Sequence, residues 1–132
     1  MRLIWWARPL ALAALLACAV ALASCGDGRR TARAVPGADL AAGREAIARH
    51  GCVSCHAVPG VRGVGGVDSH VGPPLDGYGA RRYIAGTVAN TDANLIRWIQ
   101  NPQAIRPGSA MPDLGVGETD ARNIAGYLYS LP

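Results

Sequence analysis

Apolar residues in this chain gather at helical spacing in three stretches, set apart by segments rich in Gly and Pro. Over 39–50, Leu40, Gly43 and Ile47, continued by Gly51 just beyond, recur every three or four positions behind Asp39, a residue suited to cap a helix N-terminus. Over 91–100, Leu95, Ile96, Trp98 and Ile99 supply the bulk of a second helix. Thr91 or Asp92 is its expected cap, and Asn101-Pro102 ends it. Over 118–131, Ile124, Tyr127, Leu128 and Leu131 fall on one face of a third helix, with Thr119 as its expected cap. A Gly inside a helix costs up to about 1 kcal/mol relative to Ala. Gly43 therefore calls for the close approach of another element, and large Tyr127 over small Gly43 is the economical pairing of the first and last helices. The stretch 61–68 has no helical period and is expected to be loop.

A different pattern precedes these elements. Arg2 and Arg8 are followed by an uncharged Ala/Leu run from Pro9 to Ser24, the layout of a secretory signal. The run falls short of the roughly 20 residues that span a bilayer as a helix. It ends Leu22-Ala23-Ser24-Cys25, which looks like a bacterial lipobox, cleaved before Cys25 with lipid then added to that thiol. An ordinary signal or an uncleaved anchor are the alternatives, and all three export the domain. The expected organisation is a signal peptide at 1–24, a flexible polar tether at 25–37 and one domain at 38–132.

Charge narrows the function classes. The formal net charge is +4 and every cation is Arg. From Ala38 onward 8 Arg face 8 acidic residues, so the excess belongs to the leader and tether. A nucleic-acid partner would want a basic face on the folded domain, and this balance argues against one. The 4 cysteines are each accounted for. Cys18 leaves with the leader, Cys25 takes lipid, and Cys52 and Cys55 form the chemistry described next. No disulfide framework is needed.

Gly51-Cys52-Val53-Ser54-Cys55-His56 reads Cys-x-x-Cys-His, the attachment signature of a covalent c-type haem. Two thiols three positions apart reach the two vinyl groups of one porphyrin, and His56 turns its imidazole onto the iron. A buried haem would also supply apolar surface to a domain with no Phe and a thin core of its own. In Val71-Gly72-Pro73-Pro74-Leu75-Asp76-Gly77, the Pro73 carbonyl is the candidate acceptor for the far N–H of His56, since a metal-bound His almost always donates it. Arg81 or Arg82 is a candidate partner for a haem propionate, with exposed surface Arg the alternative for each. Trp98 is a core residue expected to pack against the haem or its distal ligand. Met111, in Arg106-Pro107-Gly108-Ser109-Ala110-Met111-Pro112, is the only Met besides Met1 and sits in a stiff loop rather than on a helix face. That placement favours ligation over core filling. His50 and His70 are competing sixth ligands, both expected on the proximal side.

The ordered set of Gly43, Gly51-Cys52 to His56, Gly72-Pro73-x-Leu75-x-Gly77, Trp98-Ile99-x-Asn101-Pro102, Pro107-Gly108-x-x-Met111-Pro112 and Tyr127-Leu128 resembles a class I c-type cytochrome of the small bacterial kind, also found as a domain fused to oxidase subunits. The likeness runs from about Asp39 to the end. It implies an all-α cytochrome c fold of three main helices around one haem c, the first and last crossing. It implies Cys52 and Cys55 as thioether sites, His56 as proximal ligand and Met111 as distal ligand. The chain lacks the lysine ring of the mitochondrial type, which puts docking through a strongly positive face in doubt.

With both axial positions filled, the expected function is one-electron transfer in a respiratory chain, not enzymatic catalysis. The carrier would be a monomer tethered at the periplasmic face of a membrane or at the cell surface. Its expected donor is a quinol-oxidising complex or dehydrogenase and its acceptor a terminal oxidase. One alternative is a cytochrome subunit of a larger oxidase or dehydrogenase complex. Others are a haem enzyme or gas sensor with a labile distal ligand, and a zinc site on Cys52, Cys55 and His56, which lacks an evident fourth ligand.

Overall fold

The structure, a computed structural model, describes residues 33–62 and 71–132. The leader, Cys25, the first part of the tether and His70 lie outside the described residues, and so do the expectations placed on them. Four helices are described: α1 (Leu40–Arg49), α2 (Asp92–Gln100), α3 (Pro102–Ile105) and α4 (Glu118–Ser130). Three are the expected ones. None of the described helices is long and apolar enough to cross a membrane.

Each helix starts for an identifiable reason. Asp39 Oδ1 accepts from Ala41 N at 2.8 Å and Ala42 N at 3.0 Å, satisfying two orphan donors of α1. Thr91 Oγ1 accepts from Asn94 N at 3.2 Å and caps α2. Asn101-Pro102 ends α2 as expected, and the same pair begins α3. Asn101 Oδ1 accepts from Ala104 N at 3.0 Å, and Pro102 takes a first-turn position where a missing N–H costs nothing. Thr119 is not the cap of α4. The helix begins at Glu118 behind Gly117, with no side-chain cap, and Glu118 and Asp120 place negative charge in its first turn instead.

α1 and α4 are in direct contact at Gly43, the close approach that its place in a helix called for. A Cβ at Gly43 would stand 2.1 Å from the carbonyl oxygen of Asn123 and 3.1 Å from Tyr127 Cβ. The closest neighbour of Gly43 is thus backbone, one turn before the Tyr127 that was paired with it. Tyr127 is half-buried and donates its hydroxyl to Pro59 O at 2.7 Å. Tyr129, outside the predicted apolar face, is buried, and its hydroxyl donates to Asn90 Oδ1 at 2.6 Å. Leu40 is 47% exposed and marks the edge of the α1 stripe rather than its centre.

Two features fall outside the all-α expectation. Tyr83–Ile84 (β1) and Val88–Ala89 (β2) pair antiparallel with Ile84 opposite Val88. Three residues, 85–87, connect them; Thr87 N donates to Ile84 O at 3.0 Å, closing a turn whose two central residues, Ala85 and Gly86, have positive φ. The second feature is at the start of the domain. Residues 33–37, expected in the tether, pack on it. Val35 is 6% exposed, the Arg33 guanidinium lies 4.5 Å over the Tyr129 ring, and Arg33 pairs with Asp92 at 2.6 Å.

Candidate functional site

The turn that follows α1 is wound tightly. Gly51 adopts φ +71°, a left-handed conformation suited to Gly, and a single 3₁₀ turn runs over Cys52–Ser54. The Cys52 carbonyl accepts from Cys55 N at 3.2 Å and from His56 N at 3.0 Å. The two thiols and the imidazole therefore leave one compact backbone loop. Both cysteines are free and half-buried. Burial, reinforced by nearby Cys55, pushes the Cys52 thiol up from its ordinary pKa against a smaller opposing backbone hydrogen bond.

A second segment is laid along this turn by backbone bonds. Gly72 N donates to Cys55 O at 2.7 Å and Leu75 N to Ala57 O at 2.8 Å. Between them, the Pro73 carbonyl stands 2.7 Å from His56 Nδ1. A carbonyl can only accept, so Nδ1 carries a proton, and the neutral ring in this orientation has its lone pair on Nε2. Gly72 is required here by space: a Cβ would lie 2.5 Å from His56 Cε1.

The loop carrying Met111 is a third segment that lines the same cavity. Its backbone is held by Gln103 on α3, whose Nε2 donates to Ser109 O at 2.8 Å and Met111 O at 3.0 Å, while Oε1 accepts from Gly108 N at 3.0 Å. Met111 N also meets Ser109 Oγ at 3.2 Å. None of these bonds was visible from residue spacing, because their partners meet only once the loop folds back over α3.

Cys52, Cys55, His56, Met111, Pro73, Trp98 and Arg81 all line one cavity of about 570 Å³. Ile47, Leu95, Ile99, Ile124 and Leu128 give it apolar walls. The volume lies in the usual range for a small-ligand site, roughly 300–1,000 Å³. Two thiols, one imidazole with a free ring nitrogen and one thioether, set in an apolar cavity, fit a haem attached through sulfur and ligated by nitrogen and sulfur.

Of the two Arg proposed for a propionate, Arg81 is on the cavity wall and Arg82 is not. Arg82 is exposed and outside the lining, because the extended chain leading into β1 turns successive side chains to opposite faces. Arg81 is already engaged: it donates to Pro74 O and to Asp76 O and lies 4.8 Å over the Tyr78 ring. Arg106, which spacing did not single out, also lines the cavity and donates to Ala85 O at 3.0 Å. His50 lines the cavity too, but its Nε2 is 2.8 Å from Asp120 Oδ2. Among the described residues, no three His, Cys, Asp or Glu side chains form a metal-ion donor set, and none joins Cys52, Cys55 and His56 as zinc would need.

Comparison with known proteins adds independent findings. A family model described as Cytochrome c matches residues 40–132. The chain is 37% identical over 90 residues to cytochrome c oxidase subunit 2 of Alkalihalophilus pseudofirmus (strain ATCC BAA-2126 / JCM 17055 / OF4), covering 67% of this chain and 25% of that protein. It is 33% identical over 73 residues to cytochrome c oxidase subunit 2 of Bacillus sp. (strain PS3), covering 51% of this chain and 18% of that protein. The chain thus spans a quarter or less of the length of these relatives.

Proposed function

Because the chain belongs to the cytochrome c family, whose members carry covalently bound haem c, we propose that it is a one-electron carrier of a respiratory chain with His56 and Met111 as the two axial ligands. When bound, the haem supplies reversible one-electron chemistry at iron. The observation that carries this reading is the convergence of His56 and Met111 on one cavity that also holds Cys52 and Cys55. Cys52 and Cys55 fix the group covalently. Pro73 holds the His56 tautomer that leaves Nε2 free to ligate. Ile47, Trp98, Ile99 and Leu128 line the cavity and would exclude water from the bound group, which would keep solvent reorganisation on electron transfer small. Were both ligand positions taken by His56 and Met111, no site would remain for a substrate, which supports a carrier rather than an enzyme.

The carrier is exported and held at a membrane, by lipid on Cys25 in the reading of its leader. It accepts electrons from a quinol-oxidising complex or dehydrogenase and delivers them to a terminal oxidase. A second reading has specific support: both relatives are oxidase subunits. In that reading the chain is the cytochrome component of an oxidase assembly, and it copurifies with the oxidase rather than alone.

Absorption spectroscopy of the mature holoprotein tests the ligand set. The expected result is a sharp reduced α-band, with a weak near-infrared sulfur-to-iron band in the oxidised form. Met111→Ala should abolish the near-infrared band with haem still attached, and should let the reduced protein bind carbon monoxide. Survival of that band in Met111→Ala, or ready carbon monoxide binding by the unmodified protein, would overturn His/Met ligation.

A further inference from the structure

We propose that Gln103 is the positioning residue that determines how firmly Met111 keeps its place, an inference that rests on the reading of Met111 as an axial ligand. Gln103 does not line the cavity. It is half-buried on α3 and spends both ends of its carboxamide on the Met111 loop. The NH₂ group spans the carbonyls of Ser109 and Met111, at 2.8 and 3.0 Å, and the oxygen takes the N–H of Gly108 at 3.0 Å. Residues 108–111 belong to no helix or strand, so these side-chain bonds replace the ladder that fixes a backbone elsewhere.

The placement has a chemical consequence. A thioether is a neutral, weakly held ligand, and an unrestrained loop would let water or an added base displace it. Holding the loop in its ligating shape removes the ordering cost of each re-binding. α3 is itself fixed in place by its cap at Asn101, and its last turn bonds back from Arg106 N to Pro102 O at 2.9 Å. Pro102 at its start is fully buried, which anchors the short helix to the core, and Gln103 is the group through which it grips the loop.

The carboxamide chemistry sets the test. Gln103→Leu removes all three bonds. Gln103→Glu keeps an acceptor for Gly108 N–H, but as a carboxylate it faces the Ser109 and Met111 carbonyl oxygens with no proton to donate. In the oxidised holoprotein, Gln103→Glu and Gln103→Leu should both show a weakened sulfur-to-iron band. Imidazole should bind either oxidised variant at least about tenfold more tightly than the unmodified protein. Haem attachment and folding are read separately from the reduced α-band, and Gln103→Glu, which keeps the size and polarity of the side chain, carries the test if Gln103→Leu folds poorly. If the band is present and depends on Met111, yet both variants keep the unmodified band and imidazole affinity, Gln103 has no positioning role. If the unmodified protein lacks the band, Met111 is not the ligand and the inference falls with that reading.

Discussion

At Gly72 the hydrogen on Cα matters as much as any side chain in the site. A methyl group there would sit 2.5 Å from the His56 ring, and the ring is held by the Pro73 carbonyl one residue further on. Gly72→Ala must therefore push the ring or the segment away. The expected stability loss is about 1–3 kcal/mol, read from denaturant unfolding of the holoprotein. Lengthening of the Nδ1–H···O bond makes the imidazole a poorer donor to iron, so the reduction potential should rise, read by redox titration. An unchanged potential would show that the segment yields and the ring does not. His56 and its carbonyl partner could be anticipated because a tight attachment motif allows few placements of the ring. Gln103 could not, because amide-to-backbone bonds leave no periodic trace. Arg106 was missed for a related reason: one Arg among eight in the domain carries no sign of where the chain will fold it.

At the level of the elements, Asp120 clasps the end of α1 to the start of α4, and this contact should respond to acid. Asp120 accepts from His50 and from Arg49, and these bonds, His50 first, hold its carboxyl below the usual carboxylate range. A depressed folded-state pKa stabilises above the unfolded value and is lost as pH falls through the folded value. Asp120→Asn should therefore lower the melting temperature near neutral pH, and the gap from the unmodified protein should close on acidification below the Asp range. A gap that persists undiminished at low pH would assign the effect to packing. The three long helices were legible because nine or more residues at one period leave a pattern. The four residues of α3 and the two-residue strands do not span a period. The displaced cap of α4 has another cause: Thr at the second helical position and Thr at the cap read alike until the backbone is seen.

Across the whole molecule, the surprise is where the domain begins. Polar composition assigned residues up to 37 to the tether, yet Arg33 lies against Tyr129, Asn90 and Asp92. Composition could not show this, because one buried Val and one engaged Arg are too few to shift it. Arg33→Ala should cost about 1 kcal/mol and open new protease cleavage between 33 and 38 in limited digestion. Unaltered cleavage would mean that Val35 alone holds the segment. The latch also measures out a leash. With Cys25 lipidated, only about eight residue steps separate the lipid from the first docked side chain, at most ~30 Å of fully extended chain. A carrier held in that way would not wander through the compartment. It would meet its partners by lateral diffusion within a thin shell over the membrane, at an effective concentration that a free carrier would need to be about millimolar to match.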